Sequence, residues 1–527
     1  MIRNFVRRSS FLFGIILLLG AGIARPQTGT TSLRGTVTDK SGGAIAGVKV
    51  TLKNSALGLE RTTVTGSTGQ YDFLGLQPGT YELTVQMASF QRYVQTNLQL
   101  LVNTPATQDL QLQVGAATET VEVNSTTETL NTTDASIGNA FNENQIRQLP
   151  LEGRNIPDLL TLQSGVVYTG NRSDINQNVD SRSGAVNGAR SDQSNLTLDG
   201  VDVNDQVNGY AFTSVLPVTV DSVQEFRVTT TNYNADEGRS SGAQVSLVTK
   251  SGTNNLHGSV YEYHRNTATS ANDYFVKSSE LSNGDPNQPL KLIRNIFGAS
   301  VGGPIKKDRL FLFLNYEGAR QAEQAAVERV VPSDTLRAGI VLYQCAAILN
   351  PDGTVNQTPQ QVCPGGAISG TQFTAAPGTK AVLPSDLTKW DPLHIGPNQV
   401  VQNYFKGFPE PNDFTGQGDG LNFVGYRFRG PTPTTNNWYI ARMDYKLTSS
   451  GNHTIFWRGA MRNDNHGTAP YFVGDPALQT DLDYSKGFTV GYTATVRQNL
   501  INNFRWGYTR QSFAIVGNNN TDPFIFF

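Results

Sequence analysis

Cys345 and Cys363 are the only cysteines in the chain, close together in a stretch rich in Gly, Pro and Gln. In an oxidising compartment they suit one local, loop-closing disulfide. Two thiols with no histidine nearby make a poor metal site. The histidines, at positions 257, 264, 394, 453 and 466, have no metal-ligand spacing. Asp199, Asp202, Asn204 and Asp205 faintly match a calcium loop, but the Gly and the distal Glu of an EF-hand are missing. A turn-rich loop is the simpler reading. There is no Gly-rich phosphate loop ending in Lys-Ser/Thr and no Gly-x-Ser-x-Gly elbow. These residues predict no enzyme, no metal and no cofactor.

Lys and Arg total 41 against 43 for Asp and Glu, so the basic excess of a nucleic-acid-binding face is missing. Positions 1–24 read as a signal peptide. Arg3, Arg7 and Arg8 form its charged start, 11–20 its apolar run, and Gly22 and Ala24 its cleavage site. Beyond it no run approaches the ~20 apolar residues of a spanning helix, which excludes a helical membrane protein. A membrane β-barrel is not excluded, because only alternate residues of each strand face lipid.

Short β-rich runs at 33–39, 44–52, 62–65, 70–74 and 80–86 are separated by turn signals such as Gln77-Pro-Gly79. This spacing predicts a β-sandwich over 30–114. The pattern Gly35-x-Val37-x-Asp39, Gly47-Val-x-Val50, Thr65-x-x-x-Gly69-x-Tyr71-x-Phe73 and Leu76-x-Pro78-Gly79-x-Tyr81-x-Leu83 resembles the carboxypeptidase regulatory-like domain, a transthyretin-like sandwich. Ala46 stands where that family usually has Pro, and Ser89 where it usually has Gly. The segment carries no zinc ligands, so the resemblance implies no peptidase.

Residues 115–134 are rich in Thr, Glu, Val and Asn and read as a mobile linker. Within it Glu119, Thr120, Val121, Glu122 and Val123 resemble a TonB box, an extended peptide that pairs strand to strand with the TonB protein. A bland linker is the alternative.

Residues 135–253 give an α+β pattern. Asn142 is placed to cap a helix through Leu149, and Asn155 a second one with Pro157 in its first turn. Strands are expected at 195–198, 223–229 and 243–249. The region resembles the plug of TonB-dependent receptors through Leu159-Leu160 with Gly165-Val166, Asn187-Gly-Ala-Arg190, Leu198-Asp199-Gly200-Val201, Val223-Gln-Glu225-Phe-Arg-Val228 and Gly242-Ala-Gln-Val-Ser-Leu-Val-Thr-Lys250. Thr229-Thr-Thr-Asn-Tyr-Asn-Ala-Asp-Glu-Gly238 replaces the Arg-Gly-Pro and Tyr-Gly of siderophore-type plugs. This favours the Oar-like branch. The resemblance singles out Arg190, Asp199, Gly200, Glu225 and Gly242.

From 254 onward seven strands are expected, at 257–265, 295–303, 309–318, 438–447, 453–462, 486–496 and 500–511. Each has about the 9–11 residues that cross a bilayer at a tilt. Tyr439, Ala441, Met443, Tyr445 and Leu447 alternate with Arg442, Asp444 and Lys446. Phe504, Trp506 and Tyr508 alternate with Arg505, Gly507 and Thr509. Apolar residues toward lipid and polar residues toward a lumen are what a barrel requires. The run Leu310-Phe-Leu-Phe-Leu314 breaks this rule, and its inner face has no sequence-level explanation. Connections alternate long and short, as external loops and periplasmic turns do. Seven strands do not close a barrel for which the resemblance implies about 22, so 254–527 is read as an incomplete barrel and the chain as a fragment.

The resulting expectation is a mainly β chain: a transthyretin-like sandwich, an α+β plug and a partial transmembrane antiparallel barrel, in the outer membrane. Its expected partners are outer-membrane lipid, the TonB complex on the periplasmic side and an unidentified extracellular substrate, an oligosaccharide or a peptide. A non-transporting surface or adhesion protein on the same barrel is the alternative. A secreted soluble β-protein is a third.

Overall fold

The computed structural model describes residues 29–115, 120–124, 135–151, 153–169, 183–233, 237–238, 240–282, 284, 286–414, 417–497 and 500–517. The signal peptide and Glu119 lie outside the described residues. No described helix is long and apolar enough to cross a membrane.

Alternating apolar residues build the N-terminal sandwich. Thr31–Thr38 pairs with Gln70–Leu76 in one sheet. The other has the order Leu59–Val64, Lys49–Asn54, Gly79–Gln86, Arg92–Leu100 and Thr120–Asn124. Leu33, Val50, Leu52, Tyr71, Leu83 and Val85 fill the space between them. Ser89 adopts φ 68°, a left-handed conformation that explains the family's usual glycine there. The reading of 115–134 as free chain is corrected over Thr120–Asn124, where two valines sit in a strand added parallel to Arg92–Leu100.

The plug sheet has the order Ile137–Asn142, Val223–Thr231, Gln244–Thr249, Asn195–Leu198 and Val201–Asp202. Glu143–Gln148 is the expected helix, and Asn142 caps it in a capping box with Gln145. Ile156–Leu162 is a 3-10 helix, and the Asn155 side chain does not cap it. Asn155 instead donates to Asp158 Oδ1 at 2.5 Å and to the Phe212 carbonyl at 2.9 Å, tying the turn to a distant loop.

Among the described residues of the C-terminal half, ten strands form one antiparallel sheet. Its seven long strands follow chain order: His257–Asn266, Leu292–Lys306, Leu310–Pro332, Thr434–Lys446, His453–Gly467, Lys486–Arg497 and Leu500–Arg510. All seven expected strands are present, and several are longer than expected. Leu310–Pro332 spans 23 residues, about 75 Å at ~3.3 Å per residue against a ~30 Å hydrocarbon core. Its outer half pairs with Phe423–Pro431, a strand the sequence reading missed. Outside lipid a ribbon needs no apolar alternation, so 320–329 carried no strand signal.

Leu310, Leu312 and Leu314 are less buried than Phe311 and Phe313, which are each 1% exposed. The non-alternating run is therefore two faces of one strand, with leucines outward and phenylalanines filling the lumen. Residues 333–422, between two outer strands, form a small folded loop around Ile340, Ile368 and Ala375. Cys345 and Cys363 are joined by a disulfide there, with Cα atoms 6.3 Å apart.

Candidate functional site

The polar face of the barrel sheet meets the plug. Arg442 and Arg458 face each other directly across the hairpin closed by 447–452. Like charges in that position repel, so an anion is required between them. Asp199 of the plug supplies it, with Oδ1 3.3 Å from Arg442 and Oδ2 3.2 Å from Arg458. Asp199 occupies a left-handed turn, φ 51°, followed by Gly200 at φ 82°. That turn aims the carboxylate back along the sheet, where it also accepts from the Thr249 amide at 3.0 Å and hydroxyl at 2.9 Å. Arg458 is 0% exposed and donates further to the Leu198 carbonyl at 3.0 Å and Thr489 Oγ1 at 2.7 Å. Arg442 is gripped by Asp444 through two 3.0 Å contacts.

A second lock has the opposite polarity. Arg154 of the plug donates to Asp221 at 3.0 Å and to Glu317 of the barrel at 3.0 Å. Tyr261 donates to the same Glu317 oxygen at 2.8 Å, and the Arg154 guanidinium lies 4.4 Å from the Tyr263 ring. Burial works against the Arg154 charge, but the Glu317 carboxylate outweighs it and the guanidinium titrates above its ordinary value. Close contacts complete the seam. A Cβ at Gly507 would lie 2.6 Å from Val201, and one at Gly487 would lie 2.9 Å from Leu216. Small lumen-facing residues there let the Val201 and Leu216 side chains of the plug reach the backbone of the wall.

The residues singled out from sequence divide. Asp199 and Gly200 form the first lock. Glu225 lies at the sandwich–plug junction and accepts from the Val102 amide at 2.6 Å. Burial pushes its carboxyl up to about 8, against the opposing pull of that amide and of Arg227. Gly242 donates to the Gln193 carbonyl at 3.0 Å, and a Cβ there would sit 2.9 Å from Ser194 Oγ, so its role is close packing. Arg190 is exposed beside Asp192 and joins neither lock. Asp202 and Asp205 bind turn amides and side chains of 204–208, and no metal-binding group of His, Cys, Asp or Glu occurs among the described residues.

Arg154, Asp221, Glu317, Arg442 and Arg458 were not recognised as a site from the sequence. The accessible signal was a pair of arginines at lumen positions of adjacent strands, whose register the short turn at 447–452 fixes.

The sandwich sits at the other end of the seam. Lys446 donates to the carbonyls of Leu57 and of Gly58, the latter at 2.8 Å. Asn254 donates its amide to the Ala56 carbonyl at 2.8 Å and its side chain to Asp308 at 2.7 Å. Asp308 and Gly451 lie in the short turns, beside Gly58 and Leu59 of the sandwich, so the module packs on the short-turn end of the sheet.

A sheet with an aromatic outer face, a charged inner face and a domain strapped inside it defines a plugged outer-membrane barrel protein. Residues 248–525 match the outer membrane beta barrel domain family, and the chain belongs to it. Residues 32–113 match the carboxypeptidase regulatory-like domain. Over 297 residues the chain is 28% identical to the TonB-dependent transporter Oar of Myxococcus xanthus, covering 54% of this chain and 26% of that protein. The chain thus spans about a quarter of the length of that relative. Among solved structures it is similar to the outer membrane transporter YddB from Escherichia coli, with TM-score 0.40 and 10% identity over 71% of this chain and 39% of the other. The alcaligin receptor FauA from Bordetella pertussis gives TM-score 0.31 and 11% identity over 73% and 49%. These relatives are transporters and receptors.

Proposed function

We propose that the chain forms the plug and opening wall of a TonB-dependent importer. The observation that carries this reading is the pair of charge locks, one of each polarity, that hold a folded plug inside the sheet through a few polar contacts. A plug held to the wall by charged hydrogen bonds, beside apolar contacts with Ile440 and Ala460, is released by breaking a few directional bonds and reseated by remaking them. A buried pair is a strong restraint while intact and adds little net stability.

Substrate binds on the outer face, where Tyr404, Phe405 and Phe408 pack with Phe423 and Phe472 of neighbouring segments. Aromatic faces of this kind suit an oligosaccharide or a peptide. TonB pairs with Glu119–Val123 and pulls, and the plug moves. No residue here is assigned a chemical step.

Deleting 119–123 in a full-length parent tests the reading. Uptake of the substrate by cells falls to background while surface display of the 333–422 loop is unchanged. Uptake that survives the deletion rejects the importer reading and favours a surface or adhesion role on the same barrel.

A further inference from the structure

Thr120–Asn124 is the end strand of the five-stranded sandwich sheet. It runs parallel to Arg92–Leu100, with Tyr93 opposite Val121, Val94 opposite Glu122 and Gln95 opposite Val123. We propose that this sandwich edge is a dock for the chain's own coupling segment, and that a partner's strand must displace the segment from it before any pull reaches the plug. The proposal rests on reading 119–123 as the TonB-pairing segment, of which Thr120 to Val123 are in the strand.

The argument is one of hydrogen-bond edges and of load. An extended peptide recognised by strand addition offers its backbone groups along its edges. Here one edge is already consumed by the sandwich. The hold is light. The pairing is parallel, only five residues long, and both Glu122 and Val123 are exposed. A strand held this way exchanges readily.

The dock itself is anchored. Lys446 and Asn254 tie the sandwich to the barrel mouth, and Val102 ties it to Glu225 of the plug. Tension on a docked segment is therefore carried by the sandwich and barrel wall. Once the segment leaves, tension runs through the linker to Ile137–Asn142, the edge strand of the plug sheet. The sandwich acts as a clutch, and the segment engages the plug only when undocked. A dock occupied nine-tenths of the time lowers the partner's apparent affinity about tenfold.

The test replaces the register pair with cysteines, Val94→Cys with Glu122→Cys, in the whole chain in detergent. Parallel neighbours lie ~4.8 Å apart, within the span of a disulfide. The probe is the purified periplasmic domain of TonB, and the unsubstituted chain under the same redox conditions controls for the Cys345–Cys363 bond. The pair is expected to cross-link, and the cross-linked form to bind the probe at least ~10-fold more weakly than the same protein reduced. The reduced form also reports that the variant folds. Failure to cross-link overturns the dock. Equal binding in both forms also overturns it, since the partner then adds to the outer edge. Absence of binding by the reduced and the unsubstituted chains alike rejects the TonB-pairing reading instead.

Discussion

Asp199 illustrates how much a single carboxylate organises. It is the anion between two barrel guanidiniums that would otherwise repel. Asp199→Asn leaves both cations in place in the lumen, with only Arg442 retaining a carboxylate partner. The expected loss is about 3–5 kcal/mol of plug seating. It is read as faster amide exchange in 195–198 and 244–249, the strands that flank the turn. Adding Arg458→Met recovers part of the protection, because the uncompensated charge is removed. Glu225 makes a pH prediction. Its folded-state carboxyl titrates near 8, above the unfolded value, so the folded chain holds a proton that the unfolded chain has released. Stability contributed here is present at low pH and is lost as pH rises through about 8, with a slope of at most about 1.4 kcal/mol per pH unit. Glu225→Gln keeps an acceptor for the Val102 amide and flattens that slope in thermal unfolding between pH 5.5 and 8.5.

At the scale of elements, the seam depends on what the barrel strands leave out. Gly507 lies on the lumen face of Leu500–Arg510, and a side chain there would meet both methyls of Val201 at 2.6 and 2.7 Å. Gly507→Val is expected to cost about 1–3 kcal/mol by overpacking. It should lift the Val201–Asp202 hairpin off the wall and expose the plug to protease added from the periplasmic side. The strand should stay in the sheet, since its pairing with Lys486–Arg497 runs along the backbone from Arg510 to Leu500. Intact sheet signals with an unprotected plug are the outcome that separates seating from folding. An unchanged cleavage pattern removes the close-approach role.

The whole molecule is arranged by two solvents and a lumen. Trp457, Val490 and Trp506 are cross-strand neighbours on the outer face, while Arg458, Thr489 and Gly507 lie on the inner one. A charge placed outside meets hydrocarbon. Val490→Lys is expected to destabilise the membrane-embedded protein by about 2–4 kcal/mol, and Val496→Lys, on the same outer face but at the strand end, by much less. Denaturant titration in bilayers distinguishes the two. Equal effects at both positions contradict a membrane-spanning sheet.

The sequence by itself determined the faces. Alternation with a period of two is a local property, so seven strands, their lipid sides and the parity of their loops were legible without coordinates. Five sandwich strands and three of the plug-sheet strands were legible for the same reason, aided by turn residues, whereas Arg92–Leu100, Ile137–Asn142 and Val201–Asp202 were not. Partners across distance were not. Arg154 and Glu317 are 163 positions apart, and Asp199 and Arg458 are 259 apart. Nothing local ties the members of either pair together. Phe311 and Phe313 looked like a fault in the pattern until the lumen proved to need filling. Thr120–Asn124 looked like free chain until an open sheet edge lay beside it. Only the tertiary structure decided these, because charge pairing, close packing and edge pairing are settled by which surfaces meet. That is fixed by the packing of whole domains and not by the order of residues within a strand.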